Sequence, residues 1–357
     1  GYKNKIDIIK EIKFPHSLGL LYSAFTYYTG FKVNSGEYKI MGLAPYGKPI
    51  YSKIIKDNLI EIKEDGSFRL NMKYFDYCTN LKMTNRNFEK LFDGPPRKPE
   101  SKITQKEMDL AASIQNVTEE IIVKIAKNIS KETGKKNLCL SGGVALNCVA
   151  NGVLEKENLF DKIWIQPASG DAGGALGAAL ATWHMVYGMD NKQTKFLDKM
   201  NGSFLGPSYT EKQIELSLRN CKAKYYKYDE DILLDKVAKL LSINKAIGWM
   251  DGRMEFGPRA LGARSIIANP TLTDMQKQLN LKVKYRESFR PFAPSVLRED
   301  IDKWFEFKGD SPYMMMVAKL KEEKRYKLER EDRDLFGIDK LNIKRSDVPA
   351  ITHIDYS

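Results

Sequence analysis

Two segments in the second half of the chain concentrate side chains able to hold an anion. Gly252-Arg-Met-Glu-Phe-Gly-Pro-Arg-Ala-Leu-Gly-Ala-Arg-Ser-Ile-Ile-Ala-Asn-Pro270 is followed by Lys284-Tyr-Arg-Glu-Ser-Phe-Arg-Pro-Phe-Ala-Pro-Ser295. Arg253, Arg259, Arg264, Lys284, Arg286 and Arg290 could converge on one ligand, since guanidinium forks bind phosphate and carboxylate through paired hydrogen bonds. A run of charge is usually a wetted surface. Here glycines and prolines interrupt any helix and fix loop shape, which favours a built site.

A second chemical signal lies upstream, in two matched units. A short strand, Asn137-Leu-Cys-Leu140, leads into Ser141-Gly-Gly-Val-Ala-Leu-Asn147. A second, Lys162-Ile-Trp-Ile-Gln166, leads into Ala168-Ser-Gly-Asp-Ala-Gly-Gly-Ala-Leu-Gly177. Strand, glycine-rich turn and helix is the arrangement that aims backbone N–H groups and a helix N-terminus at phosphate. One such turn is explained equally well by close packing. Two in tandem point to a nucleotide cleft of the actin and sugar-kinase type. Asp171 stands where a carboxylate either binds a metal or caps a helix.

The elements that must position these groups can be placed from local rules. Leu18 to Thr29 reads as a helix. Thr104-Gln-Lys-Glu107 is a capping box ahead of a long helix with Leu110, Ile114, Val117, Ile121 and Ile125 on one face. Ala172 to Met189 reads as a core helix, too rich in glycine to span a membrane comfortably. Residues 189–203 are polar and aperiodic, as in a linker. Thr210 to Arg219 and Asp231 to Leu241 read as helices, the latter with Ile232, Val237, Leu240 and Leu241 inward. Ala223 to Tyr228, Ala246 to Met250 and Ser311 to Ala318 read as strands. Residues 50–100, with the break Gly94-Pro-Pro-Arg-Lys-Pro99, read as an insertion or lid.

At 357 residues the chain can form two domains, each with its own core. A net charge of +12 favours anionic ligands without choosing among them. The four cysteines form no C-x-x-C pair, which fits reduced thiols in a cytoplasmic protein.

The chain resembles the bacterial O-carbamoyltransferases of nodulation-factor and antibiotic tailoring. The matching segments are His16 to Ala24, Gly36 to Gly47, Leu140 to Asn151, Gly170 to Ala179, Gly248 to Pro270, and Lys284 to Leu297. The resemblance implies an α/β fold in two parts: a partial actin-like ATPase domain of the sugar-kinase/Hsp70 type over residues 1–198, then a YrdC-like α/β domain over 203–357. It implies that the YrdC-like part forms carbamoyl adenylate and pyrophosphate from carbamoyl phosphate and ATP. The actin-like part then moves the carbamoyl group to a hydroxyl of a sugar, glycan or antibiotic-like acceptor. A divalent metal is implied in the transfer part, Fe2+ by the resemblance, with Mg2+ accompanying ATP.

Carried over by position, Arg259, Lys284 and Arg290 match residues that hold carbamoyl phosphate and the ATP phosphates, with Arg286 added from the Lys-x-Arg pattern. Gly142, Gly143 and Asn147 match the loop against the adenylate, Gly170, Gly173 and Gly174 its other side, and Asp171 a metal ligand. Lys39 and Glu37 could face the same cleft or form a loop ion pair. His16 and His184 read as structural, while His353 could lie near the phosphate site. A homodimer is the family expectation, with neither nucleic acid nor membrane as partner. Two departures suggest a chain shortened at both ends: no His-x-x-x-His pair precedes His16, and no Leu-Asn-Thr-Ser-Phe-Asn-like segment follows Asp355. The alternatives are a tRNA threonylcarbamoylation-type enzyme or a non-catalytic nucleotide-binding fragment.

Overall fold

The long helix predicted behind Thr104 forms and organises the first part of the molecule. In the computed structural model, which describes residues 4–189, 198–307, 309–329, 332, 335 and 337–357, it spans Gln105–Thr133. The Glu107 carboxylate accepts hydrogen bonds from the Thr104 backbone N–H (2.7 Å) and hydroxyl (2.6 Å), which satisfies the helix start. Gly134, at φ 61°, ends it in the left-handed conformation that glycine adopts without penalty.

The helices in chain order are α1 (Leu18–Tyr28), α2 (Glu37–Leu43), α3 (Ser52–Asn58), α4 (Arg86–Leu91) and α5, the long helix. They are followed by α6 (Cys148–Lys156), α7 (Asp171–Ala181), α8 (Glu211–Asn220), α9 (Glu230–Ser242), α10 (Met275–Gln278) and α11 (Ile301–Trp304). Among the described residues three two-stranded sheets complete this mixed α/β architecture. β1 (Ile60–Ile62) pairs antiparallel with β2 (Phe68–Leu70). β3 (Asn137–Leu140) pairs in parallel with β4 (Lys162–Ile165), Leu138 opposite Ile163. β5 (Ile247–Met250) pairs antiparallel with β6 (Arg264–Ile267).

The α5 stripe of Leu110, Ile114, Val117 and Ile121 is fully buried against Leu21, Phe25, Ile40 and Leu43 of α1 and α2. Residues 50–100 contribute to this core and are no lid. Phe88 and Phe92 of that segment pack on Phe25 with centroids 5.3 and 5.6 Å apart, and Phe68, Leu70 and Phe75 join them. The polar turns that suggest an insertion sit outside, while its aromatics point in. Phe289 and Leu341 from the second half also enter this core.

A smaller cluster of Ala145, Ile165, Met200, Tyr313 and Met315 lies beneath β3 and β4. The predicted strand 311–318 does not form: the chain turns at 312–313, Met314 lies at φ 55°, and the segment joins no sheet among the described residues. It runs along α6, where the Val317 N–H reaches the Cys148 carbonyl (3.1 Å) and the buried Asn151 amide donates to the carbonyls of Ala145 (2.8 Å) and Met315 (2.9 Å). The side-chain alternation is real, but its hydrogen-bonding partner is a helix end.

Three further expectations differ. Ala223 to Tyr228 has no strand partner among the described residues and is irregular. The apolar residues of α9 remain open, with Ile232 48% and Leu240 40% exposed, and Met250 of β5 is 61% exposed. The helical stretch from α7 to Val186 is likewise uncovered, Trp183 being 53% exposed. Local periodicity forms such elements, but a packing partner is needed to bury them. The expected linker falls, over 190–197, outside the described residues. No helix among the described residues is long and apolar enough to cross a membrane.

Candidate active site

The two glycine-rich turns lie side by side because β3 and β4 are parallel neighbours. The Gly142 N–H donates to the Ser169 carbonyl (2.8 Å), locking one turn to the other. At Gly142 (φ 96°), Gly143 and Gly174 a side chain would meet nothing within 4 Å, so the backbone faces open space there. Gly170 is in ordinary contact with Leu146. Gly173 has a different reason to be glycine: a Cβ would lie 1.9 Å from the Ala168 carbonyl oxygen, so α7 begins pressed against its own turn.

Asn147 is spent on structure. Its side-chain oxygen caps α6 at the Ala150 N–H (3.0 Å), and its amide exchanges hydrogen bonds with Gln115 of α5 (2.9 and 3.1 Å). Tyr22 and Glu119 complete that network on Gln115 at 2.9 and 2.8 Å. Burial raises the Glu119 carboxyl above its ordinary value.

The basic loop 252–264 folds over the second turn, where Gly257 faces Pro167 and Ala168. Glu255, whose side chain is fully covered, shapes the loop. It accepts from the N–H groups of Leu261 (2.7 Å) and Ala263 (2.9 Å) and pairs with Arg264 Nε (2.9 Å). Burial opposes its ionisation, but the Arg264 and backbone donors prevail and hold its pKa at about 2. Arg264 is thereby a structural cation, and Arg253 is turned to the Gly206 carbonyl (2.8 Å). Arg259 takes the opposite direction, reaching the Leu146 carbonyl (3.3 Å) in the first glycine-rich turn, with its Nε buried and unpaired. It also neighbours Cys148, whose thiol is pushed up by burial while the guanidinium pulls the other way.

Lys284, Arg286 and Arg290 do come together. Asn280, wholly buried, donates to the carbonyls of Ser288 (3.1 Å) and Arg290 (2.9 Å) and accepts from Arg286 Nε (2.6 Å). Gln276 adds a bond to the Arg290 carbonyl (3.1 Å). Phe289, 1% exposed, anchors the loop in the main core with its ring edge-on to Tyr46. Arg290 lies over the Tyr38 ring (4.4 Å) and Arg286 over Phe292 (4.8 Å). Burial and Arg290 lower the Arg286 pKa to about 10, still fully charged at neutral pH. Partial burial and both arginines draw Lys284 below its usual value. Cations repelling one another in this way form a site that an anion would relieve.

Of the expected six-cation convergence, two groups form: Arg259 at the glycine-rich turns, and Lys284, Arg286 and Arg290 beside α2. Helix α2 links them, since Met41 touches Cys148 (3.8 Å between sulfurs) and Gly42 faces Pro291. Lys39 of α2 pairs with Glu287 (2.6 Å), not with Glu37, which accepts from Ser23 (2.8 Å) and the N–H of Asn34 (2.9 Å). Sequence reading missed Asn280, Gln276 and Glu255 as positioning residues, and no spacing rule would have found Asn280.

The histidines are structural in two cases: His16 accepts from the Leu70 N–H (3.1 Å), and His184 contacts the Met189 carbonyl (2.7 Å). His353 is buried beside Tyr46 and Asp355, away from the glycine-rich turns in its contacts. Among the described residues no group of three or more His, Cys, Asp or Glu side chains could hold a metal. Asp171 stands exposed at the first position of α7. One carboxylate does not make a divalent-metal site, so the residues described do not fit that group.

A family model described as carbamoyltransferase N-terminus matches residues 1–180, and one described as carbamoyltransferase C-terminus matches residues 238–357. The chain is 58% identical over 359 residues to an uncharacterized protein of Synechocystis sp., covering 100% of this chain and 58% of that protein. It is 37% identical over 322 residues to nodulation protein NolO of Bradyrhizobium diazoefficiens, covering 89% of this chain and 56% of that one. It is 31% identical over 252 residues to nodulation protein U of Sinorhizobium fredii, covering 70% and 38%. The chain thus spans little more than half the length of the first two of these relatives. The glycine-rich turns and α2 lie inside the first matched stretch and both basic loops inside the second; the chain belongs to the carbamoyltransferase family.

Proposed function

We propose that this chain carries part of an ATP-dependent O-carbamoyltransferase. The single observation that supports it most is the cluster of Lys284, Arg286 and Arg290, on a loop held by Asn280, Gln276 and Phe289 next to α2. Three neighbouring cations, with the arginines held by Asn280 and by aromatic rings, are suited to phosphoryl groups, whose stabilisation rests on preorganised charge. In this reading the cluster takes the phosphates of carbamoyl phosphate and ATP. One water is consumed, one phosphate and one pyrophosphate leave, and the carbamoyl oxygen becomes bonded to the α-phosphorus of AMP.

Transfer then breaks the bond between the carbonyl carbon and the adenylate oxygen, while the acceptor hydroxyl oxygen forms its bond to that carbon and releases a proton. In this reading the adenylate lies against the open backbone at Gly142, Gly143 and Gly174 and the guanidinium of Arg259. The acceptor class is a sugar or other hydroxylated small molecule. An actin-like fold for residues 1–198 and a YrdC-like fold for 203–357 accompany this reading.

The test is carbamoyl-phosphate-dependent exchange of labelled pyrophosphate into ATP, measured on the intact gene product. Exchange that drops at least about 100-fold in Lys284→Ala, with folding unchanged, supports the assignment. Exchange indifferent to Lys284 removes this cluster from the chemistry, and no carbamoyl-phosphate dependence at all refutes the reading.

A further inference from the structure

We propose that Glu287 is a resident counter-anion of the basic cluster, and that Lys39 becomes a ligand of the phosphoryl oxyanion that displaces it. The inference rests on the anion-site reading above and extends it to the pair Lys39 and Glu287.

Lys39 and Arg290 flank the carboxylate of Glu287, Arg286 feels its charge, and Lys284 belongs to the same basic cluster. Lys39 Nζ is 2.6 Å from its Oε1, and Arg290 Nη1 is 3.7 Å from its Oε2. The other nearby acid of α2, Glu37, is committed to Ser23 and to the backbone of Asn34 and Gly36. Glu287 Oε2 is buried yet makes no hydrogen bond, so only half of the carboxylate is satisfied. Partial burial disfavours its charge, but the Lys39 hydrogen bond and the charges of Lys39 and Arg290 keep it ionised.

Arg286 and Arg290 do not depend on the Glu287 side chain for their positions. Arg290 is held through its carbonyl by Asn280 and Gln276 and through its guanidinium by Tyr38. Arg286 is held by Asn280 and Phe292. Lys39 Nζ lies 5.5 Å from the Phe31 ring centroid. Should the Glu287 side chain swing away, a ready-made pocket of positive charge remains. A phosphoryl group offers more charge and more acceptor oxygens than one carboxylate, so it can take over both Lys39 and Arg290. A monovalent anion gains little by the exchange. Because Lys39 belongs to α2, occupancy of the basic loop would be felt on the helix that also touches Cys148 beside Arg259.

The test uses inorganic pyrophosphate as probe, titrated calorimetrically into the wild type, Glu287→Gln, Lys39→Met and the double variant. Glu287→Gln should tighten binding at least about tenfold, since a partly exposed charge at this range is screened but not silent. Lys39→Met should cost little in the wild type and at least about tenfold in the Glu287→Gln background, giving a coupled cycle. Lys39→Arg, which keeps the charge, should preserve the coupling and shows that folding is not the cause. Additive effects, or weaker binding in Glu287→Gln, overturn the proposal. If Lys284→Ala abolishes pyrophosphate binding while these positions are silent, the counter-anion fails and the anion site stands. If no variant binds, both fail.

Discussion

Replacing Glu255 with glutamine tests whether one buried carboxylate shapes the loop that carries Arg259. The carboxylate accepts from two backbone N–H groups and from Arg264, all within 2.9 Å, and a neutral amide would lose the charge and turn donors toward donors. A pKa lowered from 4.5 to about 2 corresponds to about 3 kcal/mol at most. The side chain is covered, but its partner Arg264 is 36% exposed, so solvent screening brings the figure nearer ~2 kcal/mol. The sign follows from the depressed folded value. The stabilisation is complete above the unfolded pKa of about 4.5 and is lost as pH falls through about 2. Urea unfolding of wild type and Glu255→Gln should therefore differ by ~2 kcal/mol at pH 7, and the gap should narrow steadily below pH 4.5. A gap under ~0.5 kcal/mol at pH 7, or one independent of pH, would refute the electrostatic account of this loop.

Phe289→Ala empties a fully enclosed position and should cost ~3–5 kcal/mol in thermal or urea unfolding. It should also weaken pyrophosphate binding, since the basic loop loses its anchor; unchanged stability would show that the ring is not buried as described. Gly173→Ala should be destabilising by several kcal/mol in the same assay, because the new methyl would meet the Ala168 carbonyl 1.9 Å away. Gly143→Ala, where nothing lies within 4 Å, should be nearly neutral for stability and would show an effect only on ligand binding.

What was legible from the residues alone was local. The Thr104–Glu107 capping box, the buried stripe of α5, the paired strands and turns at 137–147 and 162–171, and the Lys284–Arg290 cluster all follow from backbone geometry or charge within a few residues. The motif resemblance added the family. Tertiary structure decided which cations are free to act. Arg264 and Arg253 look like Arg259 in the sequence, but Glu255 and the Gly206 carbonyl claim them, because the folded loop brings those acceptors within reach of the two guanidinium groups. It decided that Asn147 is a helix cap bonded to Gln115, thirty-two residues away, and that Gly173 is there for close packing. It also turned residues 50–100 from an apparent insertion into core, since aromatic side chains spaced without a period can still meet once the chain folds back. The pairing of Lys39 with Glu287 spans 248 residues, a distance over which no pattern in the sequence constrains contact. Hydrophobic periodicity and capping act over one or two turns of chain, whereas the assignment of charged partners is settled only when the core has brought distant segments together.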